Sequence, residues 1–226
     1  MLSHPLSTTM TLIEVSDITL AADQQVPIVK DNYDTLSLIV NWVENFLCQP
    51  NSLLGREGPV CPYTRTAIDK QFLRIAIHQE ESVSLQDVQD TVLFYRNWFL
   101  ELEPKRANEA QFKSIMILFP HITLEDAPAI IDTVQRALKP AFVTEGLMLG
   151  QFHAQNNDPG LWNENFRPLR TPVPLLAIRQ MVPTDFPFLC QDPTFLSSYL
   201  KICGKNIPRR LQSTVNKYLS EYNICV

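Results

Sequence analysis

Cys61 and His153 are the side chains best suited to chemistry in this sequence, and each sits in a stretch unlike a core element. Cys61 ends Gly55-Arg56-Glu57-Gly58-Pro59-Val60-Cys61-Pro62, where two Gly and two Pro fix a particular backbone path. Pro62 suits the first turn of a short helix. A thiol just ahead of a helix feels its dipole, which favours thiolate, and Arg56 or Arg65 adds to this. Such a cysteine can be a nucleophile, a thiolate ligand to a metal or haem iron, or a contact to a bound ligand. Equally, Cys is among the most buried residue types, and a small buried residue at a tight turn accounts for it.

The second stretch is Gly150 to Arg170, without helical or strand period after His153. Loops of that length in compact domains often carry function. A neutral imidazole at a strand end can bind a metal or act as a base. Arg167 and Arg170, spaced by Pro168, suit bidentate recognition of a carboxylate, propionate or phosphate. Asp158-Pro159-Gly160 is a turn signal. An ordered surface loop pinned by Trp162 and Phe166 explains the same residues equally well.

Arg179 interrupts the apolar run Leu175 to Val182, and Asp185 follows it. A charge there must face solvent, a pocket or a partner charge. An Arg179–Asp185 pair near a ligand and a solvent-facing edge strand both satisfy this. His78, in a Gln-Glu-Glu context, reads as exposed, and His121 as a structural hydrogen-bonding residue beside Pro120. Dinucleotide, P-loop, nucleophile-elbow and zinc-protease motifs do not occur, and no closely spaced ligands suggest zinc.

The elements that must position these residues follow from periodicity. Asp31 or Asn32 caps a helix over Tyr33–Cys48, with Leu36, Ile39, Val40, Val43 and Leu47 on one face. A short helix is expected from Pro62 to Asp69, and longer ones over Leu85–Glu101 and from Thr123 or Asp126 to Phe142. Phe72–Ile77, Lys113–Phe119, Leu147–Phe152 and Leu175–Met181 read as strands. Pro193–Cys203 and Pro208–Tyr222 form a helical tail. This order predicts an α+β domain over residues 31–226 with one mixed sheet packed by helices. Residues 1–30 read as a flexible arm with a short strand near Leu12–Val15.

At 226 residues and 45% hydrophobic, the chain can bury a core without disulfides. A net charge of −5 argues against general nucleic-acid binding. Five Cys without a CxxC pair suggest reduced thiols and a cytoplasmic setting. Met1–Thr11 has no secretory-signal pattern, and no apolar run reaches the ~20 residues of a membrane span.

The motifs Gly55–Pro62, Gly150–His153, Pro159–Pro174 and Ala177–Asp185 resemble an uncharacterised domain family over about Leu36 to Cys203. In element order the chain is also similar to the YcgG-like family of haem-dependent N-hydroxylases. Here Pro does not follow His153, and the spacing differs. That likeness implies a haem with His153 as axial ligand, Arg167 and Arg170 on the propionates, and Trp162 or Phe166 stacked on the macrocycle. Cys61 would line the pocket, with Arg56 and Arg179 among the cofactor-binding residues. The expected reaction is oxidation of a nitrogen on a small amino-acid-like or guanidino substrate. The alternatives are a small-anion-binding protein without catalysis, and an enzyme using Cys61 as nucleophile and His153 as base. A homodimer is compatible with each. All three readings require the two stretches to fold into one pocket.

Overall fold

The computed structural model describes residues 1–5, 10–105 and 107–224. In chain order the strands are β1 (Leu2–Ser3), β2 (Thr11–Glu14), β3 (Leu73–Ile77), β4 (Ser114–Leu118), β5 (Leu147–Phe152) and β6 (Leu175–Gln180). The helices are α1 (Val15–Thr19), α2 (Pro27–Asp31), α3 (Tyr33–Trp42), α4 (Thr64–Asp69), α5 (Leu85–Glu101), α6 (Ala107–Ala110), α7 (Thr133–Thr144), α8 (Pro193–Cys203) and α9 (Arg209–Glu221). The fold is α+β, with one mixed sheet in the order β1-β2-β3-β4-β6-β5.

β3 to β6 read as near-continuous apolar runs because helices cover both faces of the sheet. β3 and β4 pair in parallel, as a helical crossover through α5 allows. β6 lies between β4 and β5 and is antiparallel to both. β3, β4 and β5 therefore run the same way. Ile77 aligns with Leu118, and Leu118 and Phe152 both align with Leu175, so the three carboxyl ends share one edge of the sheet.

Side chains alternate between the faces with the pleat. Leu73, Ile75, Ile77, Met116, Leu118 and Leu175 pack on α3, which continues through a π turn at Val43–Leu47. Ala76, Ile115, Ile117, Leu149, Leu176 and Ile178 pack on α5 and α7. α5 begins at a capping box in which Ser84 accepts from Asp87 N–H and Asp87 accepts from Ser84 N–H. It buries Val88, Val92, Tyr95 and Phe99, each worth about 1.5–3 kcal/mol of transfer free energy. A third cluster joins α8 and α9 to Met148, Met181 and Phe186 beside the amino ends of the strands.

Residues 11–31 correct the expectation of a flexible arm. β2 pairs with β3, Leu12 and Ile13 are fully buried, and α1 and α2 follow. The short strand near Leu12–Val15 is present as β2. The helix expected from Pro62 starts at Thr64, and the one expected from Thr123 is a π turn at Pro128–Asp132 that runs into α7. No helix among the described residues is long and apolar enough to cross a membrane.

Candidate functional site

The Gly55 and Gly150 stretches do meet. Asn163 Nδ2 donates to the Leu53 carbonyl at 2.8 Å. Gly55 has φ +78°, and a Cβ there would stand 2.8 Å from both Cβ and O of Trp162, so only Gly fits this contact. Phe166 packs on Phe46, and Trp42 Nε1 donates to the Arg170 carbonyl at 3.0 Å. Trp162 itself is 59% exposed.

Cys61 and His153 do not share a cavity. Cys61 is half-buried against the α3 side of the sheet, close enough to Arg179 to act on it electrostatically. Arg179 pairs with Ser114 and Met148, near the amino ends of β4 and β5. His153 follows Phe152, which faces the α3 side, and so points to the other face at the carboxyl edge. There Nε2 bonds Asp132 Oδ1 at 3.0 Å. The ring is 1% exposed, and Nδ1 is buried without a partner.

The arginines expected to hold an anionic cofactor hold their own loops. Arg56 donates to the Glu57 and Val60 carbonyls at 2.8 and 3.1 Å. Arg167 Nη1 donates to the carbonyls of Glu164 and Phe166. Arg170 donates from Nε to Asn156 O and from Nη2 to Asn157 Oδ1, both at 3.0 Å. These residues do not fit haem. The proposed axial imidazole is sealed from solvent and tied to a carboxylate, and the proposed propionate partners bond backbone and amide oxygens. Among the described residues no group of three His, Cys, Asp or Glu side chains is placed to hold a metal ion.

Arg179 lies on an interior strand, which rules out the edge-strand reading. Its Nη1 and Nη2 donate to Asp185 Oδ2 and Oδ1 at 2.7 and 2.6 Å. Burial opposes the charge on Arg179, but the Asp185 carboxylate outweighs it and raises its pKa. Of the predicted site residues, the structure therefore brings Cys61 together with Arg179. Tyr63 joins them and bonds Thr184 at 3.3 Å.

The carboxyl edge holds residues the sequence reading passed over. His78 follows β3 and is buried, against expectation, with Nδ1 on Thr91 Oγ1 at 3.1 Å and Nε2 unpartnered. Burial pushes its pKa below the usual imidazole value; Glu80 and Asp87 pull it back, and His121 adds to the lowering. Beside His121 opens a cleft of about 340 Å³, lined by Pro120, His121 and the Lys30–Thr35 segment between α2 and α3. The α3 amides of Tyr33, Asp34 and Thr35 precede the first bond into that helix, from Leu36 N–H to Asn32 O. Asn32 does not cap them, because its side chain turns back to the Ile28 carbonyl at 2.9 Å. The one sequence signal was the Lys30-Asp31-Asn32 run at the helix start.

Residues 36–214 match the family described as Domain of unknown function (DUF6875). The chain belongs to this family. Comparison with curated proteins and with solved structures gives no match. The family resemblance stated from the motifs is thereby sustained, while the likeness to the YcgG-like family has no support from these comparisons. The DUF6875 match includes β3 to β6 and Pro120 and His121 of the cleft, and it begins after Lys30–Thr35.

Proposed function

We propose that this DUF6875 protein binds a small zwitterionic, amino-acid-like ligand in the cleft between the start of α3 and His121. The observation that supports this reading is the pairing of uncapped helix amides with charges of both signs around one small cavity. An N-terminal helix turn with free N–H groups attracts an anion through hydrogen bonds and the helix dipole. Lys30 adds positive charge on the same cleft, the imidazole of His121 adds a hydrogen-bonding group, and Asp31 and Asp34 supply acceptors for an ammonium or guanidinium. A pure anion would meet both carboxylates without compensation, so the cleft favours a ligand carrying both charges. Its volume is near the lower end for small-molecule sites, about 300–1,000 Å³. Binding is the activity assigned.

Calorimetric titration with a panel of free amino acids and guanidino acids tests this. An exposed cleft with a few charge-assisted bonds should give dissociation constants of roughly 10 µM to 1 mM. Lys30→Met should weaken binding about tenfold, the equivalent of one such bond. Equal binding of amidated and free carboxylate forms, or undiminished affinity in Lys30→Met, would refute it.

A further inference from the structure

The backbone between the π turn and α4 sets two cysteines against each other. Pro50 and Pro59 form an antiparallel bridge, and Val60 N–H donates to Gln49 O at 2.9 Å. One step further, Cys61 N–H donates to Leu47 O at 2.9 Å. This bond sets Cys61 beside Cys48, whose own nitrogen is joined to the accepting Leu47 carbonyl. The ladder is bulged there, because Cys48 closes the π turn with φ −84° and ψ −5°. A disulfide needs Cα atoms about 4.4–6.8 Å apart. The side chains agree with the backbone. Each thiol is half-buried, both pack on the α3-side core, and they are close enough for each to act electrostatically on the other.

We propose that Cys48 and Cys61 form a reversible disulfide when the protein meets a peroxide. Cys61 reacts first. Its thiolate attacks one peroxide oxygen, the O–O bond breaks, and hydroxide leaves to become water. The resulting sulfenic acid is attacked at sulfur by the Cys48 thiolate. The S–O bond breaks, and the hydroxide leaves as a second water. In sum, two thiols and one hydrogen peroxide give one disulfide and two waters; the sulfurs lose two electrons and the peroxide gains them. Burial raises the Cys48 thiol, and Arg65 opposes that rise, which makes Cys48 the resolving partner.

The bond would close the segment Gln49–Val60, whose Leu53 and Gly55 seat the Trp162 loop. Oxidation would thus lock the contact that joins the two loops. The other described cysteines, Cys190 and Cys203, are buried in the α8–α9 cluster.

The test is treatment of the native full chain with hydrogen peroxide, followed by thiol counting and non-reducing peptide mapping. Two of the five thiols should disappear together, with a single linkage joining the Cys48 and Cys61 peptides, reversed by dithiothreitol. In Cys48→Ser, Cys61 should stop at a sulfenic acid that a dimedone probe captures. In Cys61→Ser, Cys48 should keep its thiol. A Cys48 thiol that remains titratable after Cys61 is oxidised would overturn the proposal. So would a linkage to any other cysteine.

Discussion

Replacing Asp185 or Arg179 tests how the only charged residue on β6 is accommodated. Asp185 is 3% exposed and accepts three N–H donors: two from Arg179 and one from Val182 at 2.8 Å. Arg179 keeps 35% of its side-chain surface in solvent. Breaking a fully buried pair costs about 3–5 kcal/mol, because the abandoned charge lacks a partner. In Asp185→Ala the stranded group is the guanidinium, which water reaches over that open third. The cost should fall at the low end, about 3 kcal/mol. In Arg179→Met the stranded group is a carboxylate with almost no solvent contact and one remaining donor. That cost should be larger, about 4 kcal/mol. The double variant removes both charges. It loses the Val182 bond and some packing, about 2 kcal/mol.

Urea unfolding followed by tryptophan fluorescence gives all three values. The singles would then exceed the double, a non-additivity expected only for residues that act as a pair. If the double variant costs the sum of the singles, or if Asp185→Ala costs more than Arg179→Met, the pair is not organised as described.

Two further perturbations probe the loop contact and the carboxyl edge. Gly55→Ala places a side chain at φ +78° and 2.8 Å from the Trp162 carbonyl, so it should cost about 2–4 kcal/mol and change the emission of Trp162; thermal unfolding showing no loss would contradict the contact. His78 has a depressed pKa in the folded state, so below its usual value of 6.5 the unfolded chain takes up the proton first. Stability should therefore be constant above about pH 6.5 and fall on acidification below it. His78→Gln should flatten that part of the profile, and an unchanged slope in urea unfolding would assign it elsewhere.

Much of the scaffold was legible in the sequence, for identifiable reasons. β5, α5 and α8 occur over the residues their patterns predict, because each carries an unbroken apolar period with a Ser, Asp or Gly boundary. The first 31 residues were legible only at the short strand near Leu12–Val15. Their described elements are two to five residues long, too short to show a period, and β2 joins the sheet because β3 offers it an open edge. Strand order was equally hidden. Nothing local to Leu175–Gln180 says that β6 inserts between β4 and β5, yet that placement decides whether Arg179 faces solvent or needs Asp185.

The loop arginines misled for a reason that applies beyond this chain. A loop without a ladder leaves backbone carbonyls needing donors, and arginine supplies five from one side chain. From sequence, an Arg-rich loop that satisfies itself and one that binds an anion look the same. Arg56 and Arg167 bond carbonyls close to them in the chain, and Arg170 bonds Asn156 and Asn157 within its own long loop, which marks the first case. The start of α3 is the converse. Asn32 is a residue type that ordinarily caps a helix, and its identity predicts satisfied amides. Its amide nitrogen instead serves the carbonyl of Ile28, in α2, and the first α3 residues, left without a side-chain cap, line a cleft. Uncapped amides therefore lie at a helix start with an unremarkable composition, while the arginines of the chemically suggestive stretches bond oxygens of their own loops.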